Sequence, residues 1–442
     1  MVIYLILEIA VRELYGHLLL AVLAASRGHQ IVIGTNNDLW LYKRMKLLPP
    51  GAYVIKNMNI PSQSEQMYRS FLKDGFDIYC HEAEASILWS DFEVFIKEYC
   101  ITPDQFFPFK GVFCWGERDY IEYTKMFGSN RDVFHITGSP RVDLWSPKLL
   151  KFWERDYIEA LKPYILYVSN NSWAVGKRHW TKFLAIQRDL ELLKSEENER
   201  NLYKAIKKDI LMVENAVFSL RELARKNQNV NFIIRPHPMD NEVNWRDAVG
   251  ELENIQVIYR DSITAWIAGA TALIHNSCTS AIEAVIQGVP VISYVPTEIS
   301  DVLGIANKCG VKVYNHNELD SAVTDALTDS YEVNKTNDSN ALLTPLVSID
   351  QKLASLKIVE EIEKGSNEIM HNKITMAGFM AIAMAKQSKS LMDKFRRIDL
   401  IHQKNMEFDK TEVREAVKNL SKILGVPCPK IRFASNTTML IG

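Results

Sequence analysis

Two polar clusters, each at the end of a short apolar run, hold the residues of this chain that are best suited to bind an anion. One run leads into Arg235, His237 and Pro238, and the other leads into a stretch of hydroxyl-bearing residues that begins at Ser277. A parallel α/β sheet delivers polar side chains to the carboxyl ends of its strands, where the next helix also points its free N–H groups. The pattern therefore predicts an anion site on a parallel sheet.

The side chains of both clusters match the hydrogen-bonding groups of a nucleotide. Arg235 and His237 can donate charge-assisted hydrogen bonds to a phosphate, and Glu283, four residues past Thr279 on the same helical face, can accept from ribose hydroxyls. Each cluster alone also has a structural interpretation, as a buried histidine bonded to a carbonyl or as a capped helix N-terminus. The predicted nucleotide-binding residues are Arg235, His237, Pro238, Ser277, Thr279, Ser280 and Glu283.

The motifs that are missing narrow the class of ligand. The sequence contains neither G-x-x-x-x-G-K-[ST], the phosphate loop of ATP and GTP hydrolases, nor the G-x-G-x-x-G fingerprint of classical dinucleotide sites. It contains no clustered Asp-x-Asp, so we predict no metal and no cofactor beyond a nucleotide-sugar co-substrate. The six cysteines form no C-x-x-C pair, which argues against a zinc site and against a disulfide framework.

Candidate acid and base groups lie in two places along the chain. Glu82 and Glu84 follow a short predicted strand together with a histidine, a combination that suits proton transfer. Acids at a helix N-terminus would serve the helix dipole equally well. Asp240, three residues after His237, is a further carboxylate near the predicted phosphate site. We predict that the catalytic group is one of Glu82, Glu84 and Asp240.

Two blocks of alternating strands and helices position these residues. The first block opens with an apolar strand at 2–7, a helix at 11–27 and a strand at 29–34, and the second opens with a strand at 164–168. Strands without polar alternation are typical of parallel sheets covered on both faces. We therefore predict an α/β fold with two doubly wound, Rossmann-like sheets. The predicted domains are 1–160, 161–330 and a helical C-terminal extension at 331–442.

Bulk properties place the chain among globular proteins. It has 442 residues, of which 47% are hydrophobic and 24% charged, and a formal net charge of −2. This length fits two domains and an extension, and the charge gives no global attraction to nucleic acid or to anionic lipid. The apolar N-terminus has no basic start and is interrupted by Glu8, Arg12 and Glu13, unlike a signal peptide. No stretch is long enough to span a bilayer, and the expected compartment is a reducing cytoplasm.

Several short motifs follow one another along roughly residues 2–330. They are E-x-x-x-R-E at 8–13, F-C-W-G at 113–116, T-G-S-P-R-V-D at 137–143, R-P-H-P at 235–238, H-N-S-x-T-S-x-x-E-A at 275–284 and G-V-P-V-I at 288–292. In this order they resemble the GT-B glycosyltransferases of bacterial surface polysaccharides. Within that group the chain looks similar to the retaining β-Kdo transferases, which use CMP-Kdo.

The resemblance implies both an architecture and a reaction. The architecture is two Rossmann-like domains facing a cleft, with the acceptor on the first domain and the donor on the second. The reaction is transfer of Kdo, or a related ulosonic acid, from a CMP donor to a lipopolysaccharide or capsule acceptor that is lipid-linked. The His-Pro pair and the Ser/Thr cluster are implied to bind the CMP phosphate and ribose. The acidic turn at 81–85 departs from the Asp-Glu-Glu-Gly pattern of related proteins.

Residues outside the nucleotide clusters are expected to contact substrate. Small polar residues after the first strand of a domain often line a cleft, although they are also ordinary turn formers. Arg141 could contact ligand or form a local ion pair with Asp143. The predicted substrate-binding residues are Glu8, Arg12, Arg141, Asn170 and Asn171.

Three alternative functions stay open. Glycerol- or ribitol-phosphate transferases of teichoic-acid synthesis use CDP donors and a comparable His-Pro and Ser/Thr site. UDP-sugar transferases and the related 2-epimerases share the fold. A GT-B module that has lost activity would act as an assembly scaffold.

The C-terminal part carries a possible membrane contact. Residues 372–400 include a predicted helix in which methionine and phenylalanine residues alternate with lysine and arginine residues. A basic amphipathic helix can lie on a membrane surface, which would place the protein peripherally at the inner face of the plasma membrane. The alternative is that its apolar face packs on a domain or on a second subunit.

Overall fold

The structure is a computed structural model. The described residues are 1–82, 106–170, 174–175, 195–237, 240–297, 304–328, 330–331, 339–348, 352–366, 369, 371–395 and 407–442. Three predicted site residues, Glu84, Asn171 and Pro238, lie outside this set.

The chain forms two compact units, each built on its own sheet. The first unit comprises 1–87, 91–152 and 344–442, and the second comprises 88–90 and 153–343. Both sheets are doubly wound and parallel, apart from two antiparallel strands at one edge of the first. The predicted α/β fold with two Rossmann-like sheets is therefore confirmed.

The first unit begins with strands whose residues are almost all buried, as expected for a parallel sheet covered on both faces. Its elements up to residue 152 are β1 (Val2–Ile6), α1 (Ala10–Ser26), β2 (Gln30–Gly34), α2 (Asn36–Arg44), β3 (Ala52–Ile55), α3 (Ser62–Lys73), β4 (Asp77–His81), β5 (Gly111–Cys114), α4 (Glu117–Met126), a 3-10 helix at Gly128–Val133, β6 (Phe134–Ile136), α5 (Pro140–Asp143) and a 3-10 helix that begins at Pro147.

The C-terminal part completes the first unit. Its elements are α12 (Ala354–Gly365), α13 (Met376–Phe395), α14 (Lys410–Leu424), β13 (Ile431–Phe433) and β14 (Thr438–Ile441). The sheet has the order β13-β14-β2-β1-β3-β4-β5-β6, and β14 pairs antiparallel with β2. The helical C-terminal part is present as α12–α14, and the segment from 344 onward belongs to the first unit, to whose sheet it also adds two strands that the sequence did not predict.

Close backbone contacts fix the returning chain on the first unit. The Arg118 N–H donates to the Pro345 carbonyl at 2.9 Å, and the Ser348 N–H donates to the Trp115 carbonyl at 2.7 Å. A Cβ atom at Gly116 would lie 2.5 Å from the backbone carbon of Leu346, so only glycine allows this approach. The F-C-W-G motif therefore serves the attachment of the C-terminal segment.

A buried carboxylate caps the first returning helix. Asp143 accepts hydrogen bonds from the N–H groups of Ala354 and Ser355, each at 2.8 Å, and from the Ser355 hydroxyl at 2.7 Å. Helix α12 thereby gains partners for two N–H groups that its own turns leave unpaired. The sequence left open whether Asp143 contacts ligand or pairs with Arg141, and in the structure its carboxylate serves this capping function.

The second unit carries a six-stranded, fully parallel sheet in the order β12-β11-β10-β7-β8-β9. Its described elements are α6 (Asp156–Glu159), β7 (Tyr164–Val168), α7 (Glu196–Lys226), β8 (Asn231–Arg235), α8 (Glu242–Val249), β9 (Ile255–Val257), α9 (Ile263–Gly269), β10 (Ala272–His275), α10 (Ser280–Gln287), β11 (Val291–Tyr294), a 3-10 helix at Ala306–Lys308, β12 (Val311–Val313) and α11 (His316–Leu327).

The long helix α7 begins at Glu196. Its N-cap is Ser195, whose side chain accepts a hydrogen bond from the Asn198 N–H, and three glutamates lie in its first turn. The hydroxyl satisfies an unpaired N–H and the acids complement the helix dipole. Its apolar side, with Leu220 and Leu223, packs in the hydrophobic core of the second unit, where Trp245 of α8 also lies. Among the described residues, no helix combines the length and apolar character needed to cross a membrane.

Candidate functional site

The carboxyl ends of three neighbouring strands form one edge of the second sheet. Val168 of β7 lies in register with Arg235 of β8 on one side and with His275 of β10 on the other. Neighbouring strands are about 4.8 Å apart, so the turns after β8 and β10 lie about 10 Å from each other. This span fits a phosphate with its ribose, and the turn after β7 lies between them. Both predicted polar clusters are thus brought to one edge.

The turn after β10 is held in an unusual backbone conformation. Ser277 has a φ of 51°, a left-handed value that a residue with a side chain rarely adopts. Its N–H donates to Asn307 Oδ1 at 2.8 Å, and its hydroxyl accepts from Asn307 Nδ2 at 2.6 Å. Its carbonyl accepts from Asn170 Nδ2 at 3.1 Å. The hydrogen bonds to all three polar groups of Ser277 compensate the strain of this conformation.

Helix α10 starts directly after this turn with its N-terminus available. Thr279 is the N-cap residue, it is exposed, and its side chain makes no capping hydrogen bond. The buried Ser280 hydroxyl accepts from the Cys278 thiol at 3.3 Å. The N–H groups of Ala281 and Ile282 donate to the carbonyls of Cys278 and Thr279, at 3.1 and 3.0 Å. An anion would therefore meet the N–H groups of Thr279 and Ser280 at the positive end of the helix dipole. The arrangement can therefore bind an anion in front of Thr279.

His275 ends β10 as a buried, neutral histidine. It is completely buried, and burial lowers its pKa to about 3. Its Nδ1 atom accepts the Cys278 N–H at 3.4 Å, which leaves the proton on Nε2. Nε2 is buried and has no hydrogen-bond partner within the described part of the chain. His275 opens the H-N-S-x-T-S-x-x-E-A motif, but the sequence interpretation assigned it no function.

Arg235 contacts the loop that follows β9. Its guanidinium donates to the carbonyl of Arg260 at 2.6 Å and to the carbonyl of Asp261, and it lies 4.6 Å from the ring centroid of Tyr259. Burial lowers its pKa to about 10. These guanidinium donors hold the loop after β9, and the predicted phosphate contact of Arg235 stays a prediction. That loop includes Asp261, whose φ is 61°.

His237 and Asp240 form a compact turn after β8. The His237 N–H donates to Asp240 Oδ2 at 3.0 Å, and the Asp240 N–H donates back to the His237 carbonyl at 2.8 Å. The indole N–H of Trp245 also donates to Oδ2, at 3.0 Å. Asp240 thus shapes the turn that carries His237. Phosphate binding by the half-buried His237 and catalysis by Asp240 remain predictions.

Glu283 lies in the first turn of α10 and is 2% exposed. Gln287, one turn further on, donates to its Oε1 atom at 3.3 Å. The carboxylate therefore lies on the inner side of the helix, and the predicted ribose contact stays a prediction.

The carboxyl edge of the first sheet is built differently, from charged groups. Lys56 donates to Glu8 and to Glu13, each at 2.7 Å. The second oxygen of Glu13 accepts the N–H groups of Glu8 and Ile9, at 2.8 and 3.3 Å. Burial lowers the pKa of Lys56, but the two carboxylates outweigh it and the pKa is raised. Glu8, predicted to bind substrate, is part of this ion-pair cluster.

The acidic turn after β4 lies at the same edge of the first sheet. The Glu82 carboxylate accepts the Met58 N–H at 3.2 Å, and its carbonyl accepts the Trp115 indole N–H at 2.7 Å. His81 stacks on Trp115 with ring centroids 6.1 Å apart. Catalysis by Glu82 stays a prediction, since these contacts position the residue without defining a reaction.

The remaining predicted substrate residues of the first unit, Arg12 and Arg141, lie on α1 and α5, two helices that pack against each other. Arg12 is exposed in the first turn of α1. Arg141 lies over the ring of Trp145, with its guanidinium carbon 5.3 Å from the centroid. Substrate binding by either residue stays a prediction.

Two residues that the sequence interpretation missed have central positions at these edges. Asn307 holds the Ser277 turn, and Lys56 joins two carboxylates. Asn307 belongs to a three-residue 3-10 helix and Lys56 follows a short strand. Neither stretch has a periodic pattern or a motif that would have marked the residue.

Two doubly wound parallel sheets in one chain define the GT-B fold. A Listeria monocytogenes structure assigned as a UDP-N-acetylglucosamine 2-epimerase matches with a TM-score of 0.52 and 12% identity, over 83% of this chain and 96% of that one. The S. aureus MnaA–UDP co-structure matches with a TM-score of 0.50 and 11% identity, over 84% and 98% of the two chains. No family model and no curated protein matches the sequence. At these identities the likeness shows the fold alone.

Proposed function

We propose that this chain is a glycosyltransferase that binds the nucleotide of an activated sugar at the carboxyl edge of its second sheet. The observation that carries the proposal is the locked turn at Ser277, which precedes the uncapped N-terminus of α10. Such a site offers N–H donors to a phosphate without a glycine-rich loop and without a metal. The turn with His237 supplies a second donor about two strand spacings, or about 10 Å, away.

The proposed donor is a CMP-activated sugar, Kdo or a related ulosonic acid. It is supported by the motif order R-P-H-P, H-N-S-x-T-S-x-x-E-A and G-V-P-V-I. A UDP-sugar is the second candidate, favoured by the fold likeness to the S. aureus MnaA–UDP co-structure. The proposed acceptor is a surface glycan.

The proposed reaction transfers the sugar from the nucleotide to an acceptor hydroxyl. The acceptor oxygen bonds to the anomeric carbon, and the bond from that carbon to the phosphate oxygen breaks. The nucleotide leaves with the electron pair, and its growing negative charge is stabilised by the N-terminus of α10 and by His237. The acceptor proton passes to a carboxylate, for which Glu82 and Glu84 are the candidates. Asp240 is a weaker candidate because its Oδ2 serves the turn.

A ligand panel followed by a turnover assay tests the proposal. Thermal shift with CMP, CDP, UMP and UDP is expected to give the largest stabilisation with CMP, because the bound ligand stabilises only the folded state. A preference for UDP would replace CMP by the second candidate, and a preference for CDP would favour the phosphotransferase. Binding of none of the four would contradict nucleotide binding altogether. With the donor identified, Glu82→Gln is expected to lower turnover at least a hundredfold, and full turnover would exclude Glu82.

The proposed acceptor is lipid-linked, and helix α13 offers a surface that suits an anionic membrane. Its inner face packs on the first unit through Phe379, Ile382 and Lys386, which donates to the buried Asp38 at 2.6 Å. A second line of residues, Met376, Met380 and Met384, is 53 to 58% exposed. Residues 373–397 carry six lysines and arginines against one aspartate. We define these three methionines as the methionine line and propose that it contacts anionic lipid.

Vesicle flotation tests the lipid contact. The protein is expected to float with vesicles that contain phosphatidylglycerol and much less with neutral phosphatidylcholine vesicles. Replacing the methionine line by serine is expected to abolish flotation, because the apolar contact is lost. The matched control replaces Tyr203, Leu211 and Phe218, three exposed residues of α7, by serine and should float normally. Undiminished flotation of the methionine variant, or self-association that depends on the methionine line, would contradict the lipid assignment.

A further inference from the structure

We infer that Asn307 is a positioning residue for the phosphate subsite, an inference that rests on the proposed function. Its side chain is the central connection of the β10–α10 turn. Nothing in the motifs around residues 235 or 275 points to it, since it lies about thirty residues beyond the turn in sequence. Only the fold brings it there.

The Asn307 side chain uses both ends of its amide. Oδ1 accepts the Ser277 N–H at 2.8 Å and the Ser293 hydroxyl at 3.2 Å, while Nδ2 donates to the Ser277 hydroxyl at 2.6 Å. The residue is 5% exposed and Ser293 is completely buried. Ser293 belongs to β11, which pairs with β10 in register. The amide therefore ties the turn to a rigid neighbouring strand.

This connection determines where the N–H groups of α10 point. Ser277 adopts a φ of 51°, and its direct neighbours lead into the first turn of the helix. A left-handed conformation is strained for a residue with a side chain and persists only when surrounding contacts compensate the strain. Without the amide of Asn307, Ser277 can relax to an ordinary φ, and the backbone after it then changes direction. The N–H groups would no longer converge in front of Thr279.

Asn307 does not need to touch the ligand to have this effect. Its three side-chain hydrogen bonds are made inside the protein, so the phosphate contacts the backbone that the amide holds. Removal of the side-chain amide at position 307 should therefore weaken binding of the phosphate and leave binding of the base and ribose almost unchanged. A purely structural residue would weaken both equally or lower only the stability.

The experiment compares a nucleotide with its own nucleoside. The nucleotide is whichever of CMP, CDP, UMP or UDP the unaltered protein binds best, and weak nucleoside binding is measured by competition against it. Asn307→Ala is expected to weaken nucleotide binding about ten- to a hundredfold and nucleoside binding less than threefold. Asn307→Asp keeps an acceptor for the Ser277 N–H but loses the donor and adds a negative charge. This variant should weaken nucleotide binding at least as much as Asn307→Ala does, again without affecting nucleoside binding.

A change at the turn itself separates positioning from general damage. Ser277→Gly accepts the left-handed conformation without strain, so the cost of Asn307→Ala for nucleotide binding should be several-fold smaller in the Ser277→Gly background. Equal losses for nucleotide and nucleoside, or an unchanged cost in the glycine background, would overturn the inference. If Asn307→Ala does not fold, Asn307→Asp and Ser293→Ala decide in the same way. Failure of the unaltered protein to bind any of the four nucleotides would instead contradict the proposed function.

Discussion

A neutral histidine ends a central strand in each of the two sheets, but the two histidines have different neighbours. His81 ends β4 and His275 ends β10, and burial lowers the pKa of each to about 3; the nearby His17 lowers that of His81 further. The turns at the edge of the first sheet that His81 belongs to are held by charged groups, among them Glu82, Glu13 and Lys56, whereas the turn after His275 is held by backbone N–H groups, a hydroxyl and an amide. Ion pairs hold the turns at the carboxyl edge of the first sheet together. At the carboxyl edge of the second sheet the positive N-terminal end of α10 can face an anion.

The comparison predicts that both histidines limit stability in acid. In the unfolded chain the imidazole pKa is 6.5, while in the folded protein it is about 3. The stability that each neutral histidine maintains above pH 6.5 is lost as the pH falls from about 6.5 towards 3. A shift of this size corresponds to at most roughly 4–5 kcal/mol for each group.

Urea unfolding at pH 7, 5.5 and 4 measures this effect. The unaltered protein should lose several kcal/mol between pH 7 and 4, and His81→Asn and His275→Asn should each flatten the dependence. The exposed His371→Asn serves as the control and should leave the pH profile unchanged. If the unfolding free energy of all four proteins depended on pH in the same way, the two histidines would not be the groups that limit stability in acid.

A smaller effect is expected at the first edge, where charge rather than burial holds the structure. Lys56→Met removes the cation between Glu8 and Glu13 and leaves the largely buried Glu13 carboxylate with two backbone donors only. The expected loss of unfolding free energy is about 1–3 kcal/mol. The half-exposed Glu8→Gln is the matched control, with an expected loss of about 0.5 kcal/mol.

The two variants test whether the first edge depends on its ion pairs. Urea unfolding in low salt measures both losses, and 1 M salt should reduce that of Lys56→Met only in part, because buried pairs are screened weakly. A Lys56→Met protein as stable as the unaltered one would show that the cluster does not hold the turn. The nucleotide affinity of the second unit should stay unchanged in both variants, which would separate the functions of the two edges.

The sequence predicted the strands of the second sheet well. Tyr164–Val168 has the predicted bounds, and the apolar runs that lead into the two polar clusters are the strands Asn231–Arg235 and Ala272–His275. These runs are short, bounded by polar residues and rich in β-branched side chains, which is a strong local signal. The same signal placed the two polar clusters at one edge of the sheet.

The sequence could not predict the direction of side chains or contacts between distant residues. Arg235 lies where the pattern predicted, but its guanidinium binds carbonyls of the loop after β9, and only packing decides that. Asn307 reaches Ser277 through the fold, and Asp143 reaches Ser355 from more than two hundred residues away. The strand β14 was missed because its pairing with β2 joins segments about four hundred residues apart.

That antiparallel strand has a consequence for biosynthesis. β2 presents an unpaired edge until Thr438–Ile441 has left the ribosome, which at about 5–20 residues per second takes roughly 20–80 s after β2 itself is made. An exposed strand edge invites pairing with other chains during that time. The second unit, whose sheet lies between residues 164 and 313, can be complete before then. Nascent chains are therefore expected to depend on chaperones mainly through their first unit.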